Sequence, residues 1–134
     1  MDIIENATGA AMFYDRIAKT YGLTFRFNRY NHSLEQYLSE HLPSLAPETR
    51  ILDAGCGTGL LTKALLSVID RPVSITGLDL SAASISLARQ AVSKYAGRLK
   101  TVSLMQGNIL SLPFADNSFE LVVTCGALEY VPPA

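Results

Sequence analysis

The chain has 134 residues, of which 49% are hydrophobic and 17% charged; this is the balance of one globular domain and excludes a disordered chain. A net charge of −1, with the basic residues scattered, disfavours nucleic-acid and anionic-membrane partners. The two cysteines lie far apart, so neither a disulfide framework nor a metal site is indicated. No signal peptide or membrane-length apolar stretch is visible, and we expect a cytoplasmic protein.

Residues 1–47 are predicted to form a helical lid segment ahead of the main domain. Apolar side chains recur there at helical spacing, first at Met12, Ile17, Ala18 and Tyr21, then at Leu34, Tyr37, Leu38 and Leu42. We expect Asn31 or Ser33 to cap the second helix and Pro43 to end it.

Residues 48–134 are predicted to form an α/β domain in which strands and helices alternate. Strands are predicted at residues 50–54, 73–79, 101–105 and 120–125. The helix after the first strand should stop at Arg71-Pro72; the next should begin at Ser81, include Tyr95 on its apolar face and close at Gly97. Such alternation indicates a parallel sheet with right-handed crossovers and helices on its faces.

Three glycines at alternate positions, Gly55, Gly57 and Gly59, separate the first predicted strand from the helix after it. They permit a tight turn in which backbone N–H groups approach a ligand beside the positive end of the helix dipole. The dinucleotide fingerprint G-x-G-x-x-G needs its third glycine three positions after the second, and Leu60 stands there instead. This spacing disfavours an NAD enzyme.

An acidic residue, Asp79, ends the second predicted strand, twenty positions after Gly59. A carboxylate at this point can accept two hydrogen bonds from the ribose hydroxyls of an adenosine. The alternative is that Asp79 only caps the helix that starts near Ser81.

Five stretches carry a family pattern: Ile51-Leu52-Asp53-Ala54-Gly55-Cys56-Gly57-Thr58-Gly59, Gly77-Leu78-Asp79-Leu80-Ser81, Gln106-Gly107-Asn108-Ile109, Leu112-Pro113-Phe114 and Phe119-Glu120-Leu121-Val122-Val123. They resemble the class I S-adenosylmethionine (SAM) dependent methyltransferases, in particular the small-molecule group that includes ubiquinone and menaquinone biosynthesis methyltransferases. The resemblance covers residues 14–132 and implies a Rossmann-like sheet. It also implies SAM as cofactor and methyl transfer to a small molecule by in-line displacement.

The resemblance also implies which residues meet the methionine part of SAM. Asp53 would bond near its amino group, and Cys125 would offer a backbone carbonyl to the same ammonium. Tyr14, in the lid helix, would reach the carboxylate, although simple helix packing explains it equally well. The turn itself would hold this part through Gly55, Cys56, Gly57 and Thr58, with Cys56 as a small turn residue rather than a nucleophile.

On the adenosine side the resemblance implies four residues. Asp79 would hold the ribose and Leu80 would pack on the adenine. Asn108 would meet the adenine edge through its side chain and Ile109 through its backbone. Many relatives have Asp at position 108, but an amide can also donate to and accept from adenine.

No catalytic residue is assigned, because the candidates stand in no diagnostic constellation; they are Tyr14, Tyr21, His32, His41 and Glu129. The segment 126–133 lacks an Asn/Asp-Pro-Pro-aromatic order, which weighs against methylation of DNA bases.

The family domain has seven strands, whereas this sequence stops after its fourth. We therefore expect a fragment, or a homodimer that covers the exposed edge of the fourth strand. The alternative function is a SAM-binding module without activity, because the substrate-binding half is absent.

Overall fold

The computed structural model describes residues 30–124, except 96 and 98. The predictions for Tyr14, Tyr21, Cys125 and Glu129 lie outside these residues. The elements are, in chain order, α1 (Tyr30–His41), β1 (Thr49–Ala54), α2 (Leu60–Val68), β2 (Val73–Asp79), α3 (Ala82–Val92), β3 (Lys100–Gln106) and β4 (Leu121–Val123).

The four strands form one sheet in the order β3-β2-β1-β4, and every pair is parallel. The chain therefore builds outward from β1 through β2 to β3, and then returns to the other side of β1. Such a reversal opens a crevice at the carboxyl ends of the strands, where open α/β sheets bind ligands. The predicted α/β class with a parallel sheet is confirmed.

The core lies between the sheet and α2. Ile51 of β1 and Ile75 of β2 are direct neighbours in register, and both are completely buried because their branched side chains face the helix. Leu65 of α2 is also fully buried against this layer. From α1, Leu38 joins the same cluster, as the helical spacing predicted.

Two side-chain contacts fasten β3 and β4 to the rest of the molecule. Lys100, at the start of β3, donates from Nζ to the carbonyl oxygen of Leu66 in the last turn of α2, at 2.7 Å. A cation there satisfies a helix carbonyl that has no partner inside the helix. On the other side, the exposed guanidinium of Arg50 in β1 pairs with Glu120, just before β4, at 3.0 Å.

Several predicted ends of elements are confirmed. Strand β2 has the predicted bounds, and Ser81 caps α3 by accepting a hydrogen bond from the backbone N–H of Ser84 at 3.1 Å. Helix α1 ends at His41, shortly before Pro43, whose ring nitrogen has no proton to continue the helix.

Other ends differ from the sequence prediction. Asn31 and Ser33 lie inside α1, so neither caps it. Helix α3 ends at Val92, because the N–H of Tyr95 bonds to the Val92 carbonyl in a tighter turn, and Gly97 instead forms a bridge with Lys100. The fourth strand is limited to Leu121–Val123, the three residues that pair with β1.

Within the described part of the chain, no helix has the length and apolar character needed to cross a membrane. The division between residues 47 and 48 stays a prediction. Leu38 and Leu45, from the first predicted segment, contribute to the same core as the sheet.

Candidate cofactor-binding site

The turn after β1 has a backbone conformation that requires glycine. Gly57 has a φ of 53° and Gly59 a φ of 91°, in the left-handed region where other residues are strained. The N–H groups of Gly55 and Cys56 both donate to the Leu78 carbonyl of β2, at 2.8 and 2.9 Å, which fixes the turn against the sheet.

The two sides of this turn have different surroundings. A Cβ atom added at Gly57 would meet no atom within 4 Å, so this side of the turn is open. A Cβ atom at Gly59 would lie 3.1 Å from both the Cα and the Cβ of Ala88, which shows how closely α3 approaches the turn. The turn is therefore packed against α3 at Gly59 and not obstructed at Gly57 by the described residues.

Asp79, the last residue of β2, receives a hydrogen bond on each carboxylate oxygen. The backbone N–H of Gly57 donates to Oδ2 at 2.9 Å, and the N–H of Ser81 donates to Oδ1, also at 2.9 Å. Because Ser81 itself caps α3, the cap of that helix does not explain Asp79. The contacts orient a half-buried carboxylate beside the glycine turn.

Asp53 lies beneath the turn and is fully buried. The Thr62 hydroxyl of α2 donates to its Oδ2 at 2.6 Å, whereas Oδ1 has no hydrogen-bond partner among the described residues. Burial raises the pKa of Asp53 to about 6; the bond from Thr62 opposes this rise and the nearby charge of Asp79 adds to it. The carboxylate is thus an acceptor with unused capacity in an apolar setting.

Cys56 is buried, and its sulfur would lie 3.1 Å from a Cβ atom added at Gly77. Burial raises the pKa of the Cys56 thiol, and the negative charges of Asp53 and Asp79 raise it further. A thiol held in its protonated form is not a nucleophile. The role of Cys56 as a small turn residue stays a prediction.

The end of β3 lies next to the end of β2. The N–H of Gly107 donates to the Asp79 carbonyl at 2.8 Å, which places Asn108 one strand away from Asp79. The side-chain oxygen of Asn108 accepts from the N–H of Leu110 at 2.9 Å. Leu80 and Ile109 are half-buried in the two loops beside these polar groups.

Two residues of this region were missed by the sequence analysis. Thr62 bonds Asp53 from α2, nine positions along the chain, and no local pattern marks it. Gln106 donates from Nε2 to the Leu80 carbonyl at 2.9 Å. Gln106 was part of a family stretch directly after the third predicted strand, but no role was assigned to it from the sequence.

The two histidines lie elsewhere. His32 and His41 are on α1 and exposed, and the His41 ring stacks on Tyr37 with the ring centres 4.2 Å apart. Neither belongs to the cluster around Asp79. Between residues 30 and 124, the described side chains form no group of three or more potential metal ligands.

A family model described as a methyltransferase domain matches residues 51–134 of this chain. The chain belongs to the class I SAM-dependent methyltransferases. SAM is accordingly the cofactor indicated for this chain.

Curated relatives agree with this assignment. The demethylmenaquinone methyltransferase of Lactiplantibacillus plantarum is 40% identical over 88 residues, which are 66% of this chain and 37% of that protein. The enzyme of the same name from a Bacillus cereus strain is 38% identical over 86 residues, which are 64% of this chain and 35% of that protein. The matched part thus spans little more than a third of these relatives.

Among solved structures, phosphoethanolamine N-methyltransferase 1 of Haemonchus contortus, in complex with phosphoethanolamine and S-adenosylhomocysteine, superposes with a TM-score of 0.71. The match covers 98% of this chain and 28% of that one, at 20% identity. At this identity the likeness shows the fold alone.

Proposed function

We propose that this chain binds SAM at the glycine turn and transfers its methyl group to a small molecule. The observation that carries the proposal is the Asp79 carboxylate, oriented at the end of β2 by the N–H groups of Gly57 and Ser81. The names of the two demethylmenaquinone methyltransferases support a small-molecule acceptor.

The residues present fit SAM. The ribose hydroxyls and the ammonium of SAM are hydrogen-bond donors, and the acidic residues Asp79 and Asp53 offer acceptors. A carboxylate has about four acceptor positions, and backbone N–H groups donate to both oxygens of Asp79 and hold its orientation. The Asp53 Oδ1 atom, without a partner among the described residues, is the acceptor that we assign to the ammonium.

Each predicted site residue then has a role in binding. Asp79 accepts from the ribose, and the turn from Gly55 to Thr58 lies against the methionine part, although the N–H groups of Gly55, Cys56 and Gly57 already donate within the protein. Because Leu110 occupies the side-chain oxygen of Asn108, the amide nitrogen of Asn108 is left to donate to the adenine. Leu80 and Ile109 provide apolar contacts to the ring. Tyr14 and Cys125 complete the proposed site from outside the described residues.

The protein's part in the reaction is alignment. When bound, SAM supplies a methyl group that is electrophilic because it is attached to a sulfonium. The chain fixes the position of this group and excludes water, so that a nucleophile on the acceptor can approach in line. A base is needed only if that nucleophile must lose a proton, and we assign no residue to that role.

Calorimetric titration with S-adenosylhomocysteine tests the proposal. Asp79→Ala should weaken binding about 10- to 100-fold, because hydrogen bonds to a charged group contribute roughly 1.5–3 kcal/mol. The matched control Asp116→Ala removes an exposed loop carboxylate and should leave the affinity unchanged. Unchanged affinity in Asp79→Ala, with circular dichroism showing an intact fold, would contradict the ribose assignment.

A titration with NAD and a turnover assay complete the experiment. The wild type should not bind NAD, and tight NAD binding would favour a dinucleotide enzyme instead. Formation of S-adenosylhomocysteine from SAM on a panel of small-molecule acceptors tests the transfer itself. Binding without turnover on any acceptor would favour a SAM-binding module.

The cellular location and the oligomeric state of the protein are part of the same proposal. A cytoplasmic protein that acts on a small molecule, without a nucleic-acid partner, is what the sequence predicts. The homodimer that would cover the edge of β4 also stays a prediction. Val122, on that strand, is 59% exposed.

A further inference from the structure

Gln106 contacts the loop that carries Asp79. Its side-chain nitrogen Nε2 donates to the backbone carbonyl of Leu80 at 2.9 Å. Leu80 lies between β2 and α3, directly after Asp79. The Gln106 side chain is exposed, so core packing does not force this contact.

The contact reaches Asp79 through one peptide group. The Leu80 carbonyl and the Ser81 N–H belong to the same peptide bond, and the described residues contain no cis peptide. In a planar trans peptide the C=O and N–H bonds point in opposite directions. Gln106 holds the carbonyl end of this group, and the N–H end donates to Asp79 Oδ1 at 2.9 Å. Fixing one end therefore fixes the direction of the other.

A second contact from the same strand end does not depend on a side chain. The Gly107 N–H bonds to the Asp79 carbonyl at 2.8 Å and holds the backbone of Asp79 whatever residue occupies position 106. Removal of the Gln106 amide should thus free the Leu80–Ser81 peptide to rotate while β2 and β3 stay paired. The Asp79 carboxylate would then lose a fixed donor at Oδ1.

We propose that Gln106 is a positioning residue for the cofactor, which acts through the Leu80–Ser81 peptide on the Asp79 carboxylate. The inference rests on the proposed function, because it assigns Asp79 to the ribose. It adds that the affinity for the adenosyl group depends on an amide donor that does not itself contact the ligand.

Three variants of the full chain test this proposal by titration with S-adenosylhomocysteine. Gln106→Met keeps the length of the side chain but has no donor, and it should weaken binding about three- to tenfold, in the range of one neutral hydrogen bond. Gln106→Lys restores a donor and should stay within about threefold of the wild type. Gln90→Met, the same change on the exposed surface of α3, should have no effect.

A double-mutant cycle with Asp79→Ala separates positioning from general stability. If Gln106 acts through Asp79, Gln106→Met should cost little further affinity once that carboxylate is gone, because coupled residues are not additive. Equal losses in both backgrounds would overturn the proposal, and so would an unaffected Gln106→Met variant beside a weakened Asp79→Ala. A wild type that does not bind S-adenosylhomocysteine would overturn the proposed function itself.

Discussion

Asp53 is an ionisable group in a place that favours its neutral form. It is fully buried, and Thr62 provides a hydrogen bond to only one of its oxygens. A buried carboxylate with an unsatisfied oxygen costs free energy in the protein without ligand. Under the proposed function, the ammonium of the cofactor offsets this cost.

The cost of Asp53 should be visible in the pH dependence of stability. Its pKa is about 6 in the folded protein, against an ordinary value of 3.8, so the folded state holds its proton more tightly than the unfolded state. Protonated Asp53 therefore stabilises the folded state fully below about pH 4, and this stabilisation is lost as the pH rises through 6. The full difference corresponds to about 3 kcal/mol.

Urea unfolding of the wild type and Asp53→Asn across this pH range measures the effect. Relative to the variant, the free energy of unfolding of the wild type should fall between about pH 4 and pH 6 and then stay level. The variant should be the more stable protein at pH 7 and the weaker binder of S-adenosylhomocysteine. Parallel curves for the two proteins would show that Asp53 does not titrate in this range.

At the scale of elements, the glycine turn joins β1 to α2 and also fixes the distance to α3. Gly57 needs its positive φ only, whereas Gly59 needs both its positive φ and the close approach to Ala88. Gly97 needs neither, because a Cβ atom there would meet nothing within 4 Å and its φ is not left-handed. The cost of an alanine should therefore increase from Gly97 to Gly57 to Gly59.

Alanine substitutions should follow this order in urea unfolding. Gly97→Ala should be neutral or slightly stabilising, because it restricts the unfolded chain. Gly57→Ala should cost about 1–2 kcal/mol for a left-handed conformation. Gly59→Ala should cost more, because overpacking against Ala88 adds roughly 1–3 kcal/mol. A loss at Gly97 as large as that at Gly59 would contradict this explanation.

Structural features that depend on residues close together in the sequence could be predicted from it. The apolar run before the glycines marks β1, the bounds of β2 were correct, and Ser81 caps α3 by a contact only three residues long. Contacts between distant segments could not be predicted. Thr62 meets Asp53 and Gln106 meets Leu80 only because the sheet and helices bring them together.

Failed predictions at helix ends have a related cause. Asn31 and Ser33 are good capping residues by type, but both lie within α1, where Leu34 and Leu38 pack on the core from the middle of the helix. Gly97 is a common residue at helix ends, yet the pairing of this region with β3 decides its conformation. Tertiary contacts outweigh local preference at these positions.

For the whole molecule, the proposed ligand joins loops from three neighbouring strands. A ligand that binds only the folded state stabilises it by about 2.7 kcal/mol at a concentration of 100 times its Kd. For a domain of this size we expect a rise in Tm of about 10 °C. Differential scanning calorimetry with S-adenosylhomocysteine checks this value, and Asp79→Ala at the same ligand concentration should show a much smaller rise.

The sheet order also determines when the fold can be completed during synthesis. Strands β1, β2 and β3 follow one another in the chain and can pair as they emerge, but β4 returns to β1 from 70 residues away, as the contact between Arg50 and Glu120 shows. Closing so long a loop is slow compared with pairing adjacent strands. Until the ribosome has released Leu121–Val123, one edge of β1 is unpaired and can bind other nascent chains. A chaperone that covers this edge would prevent aggregation during this interval.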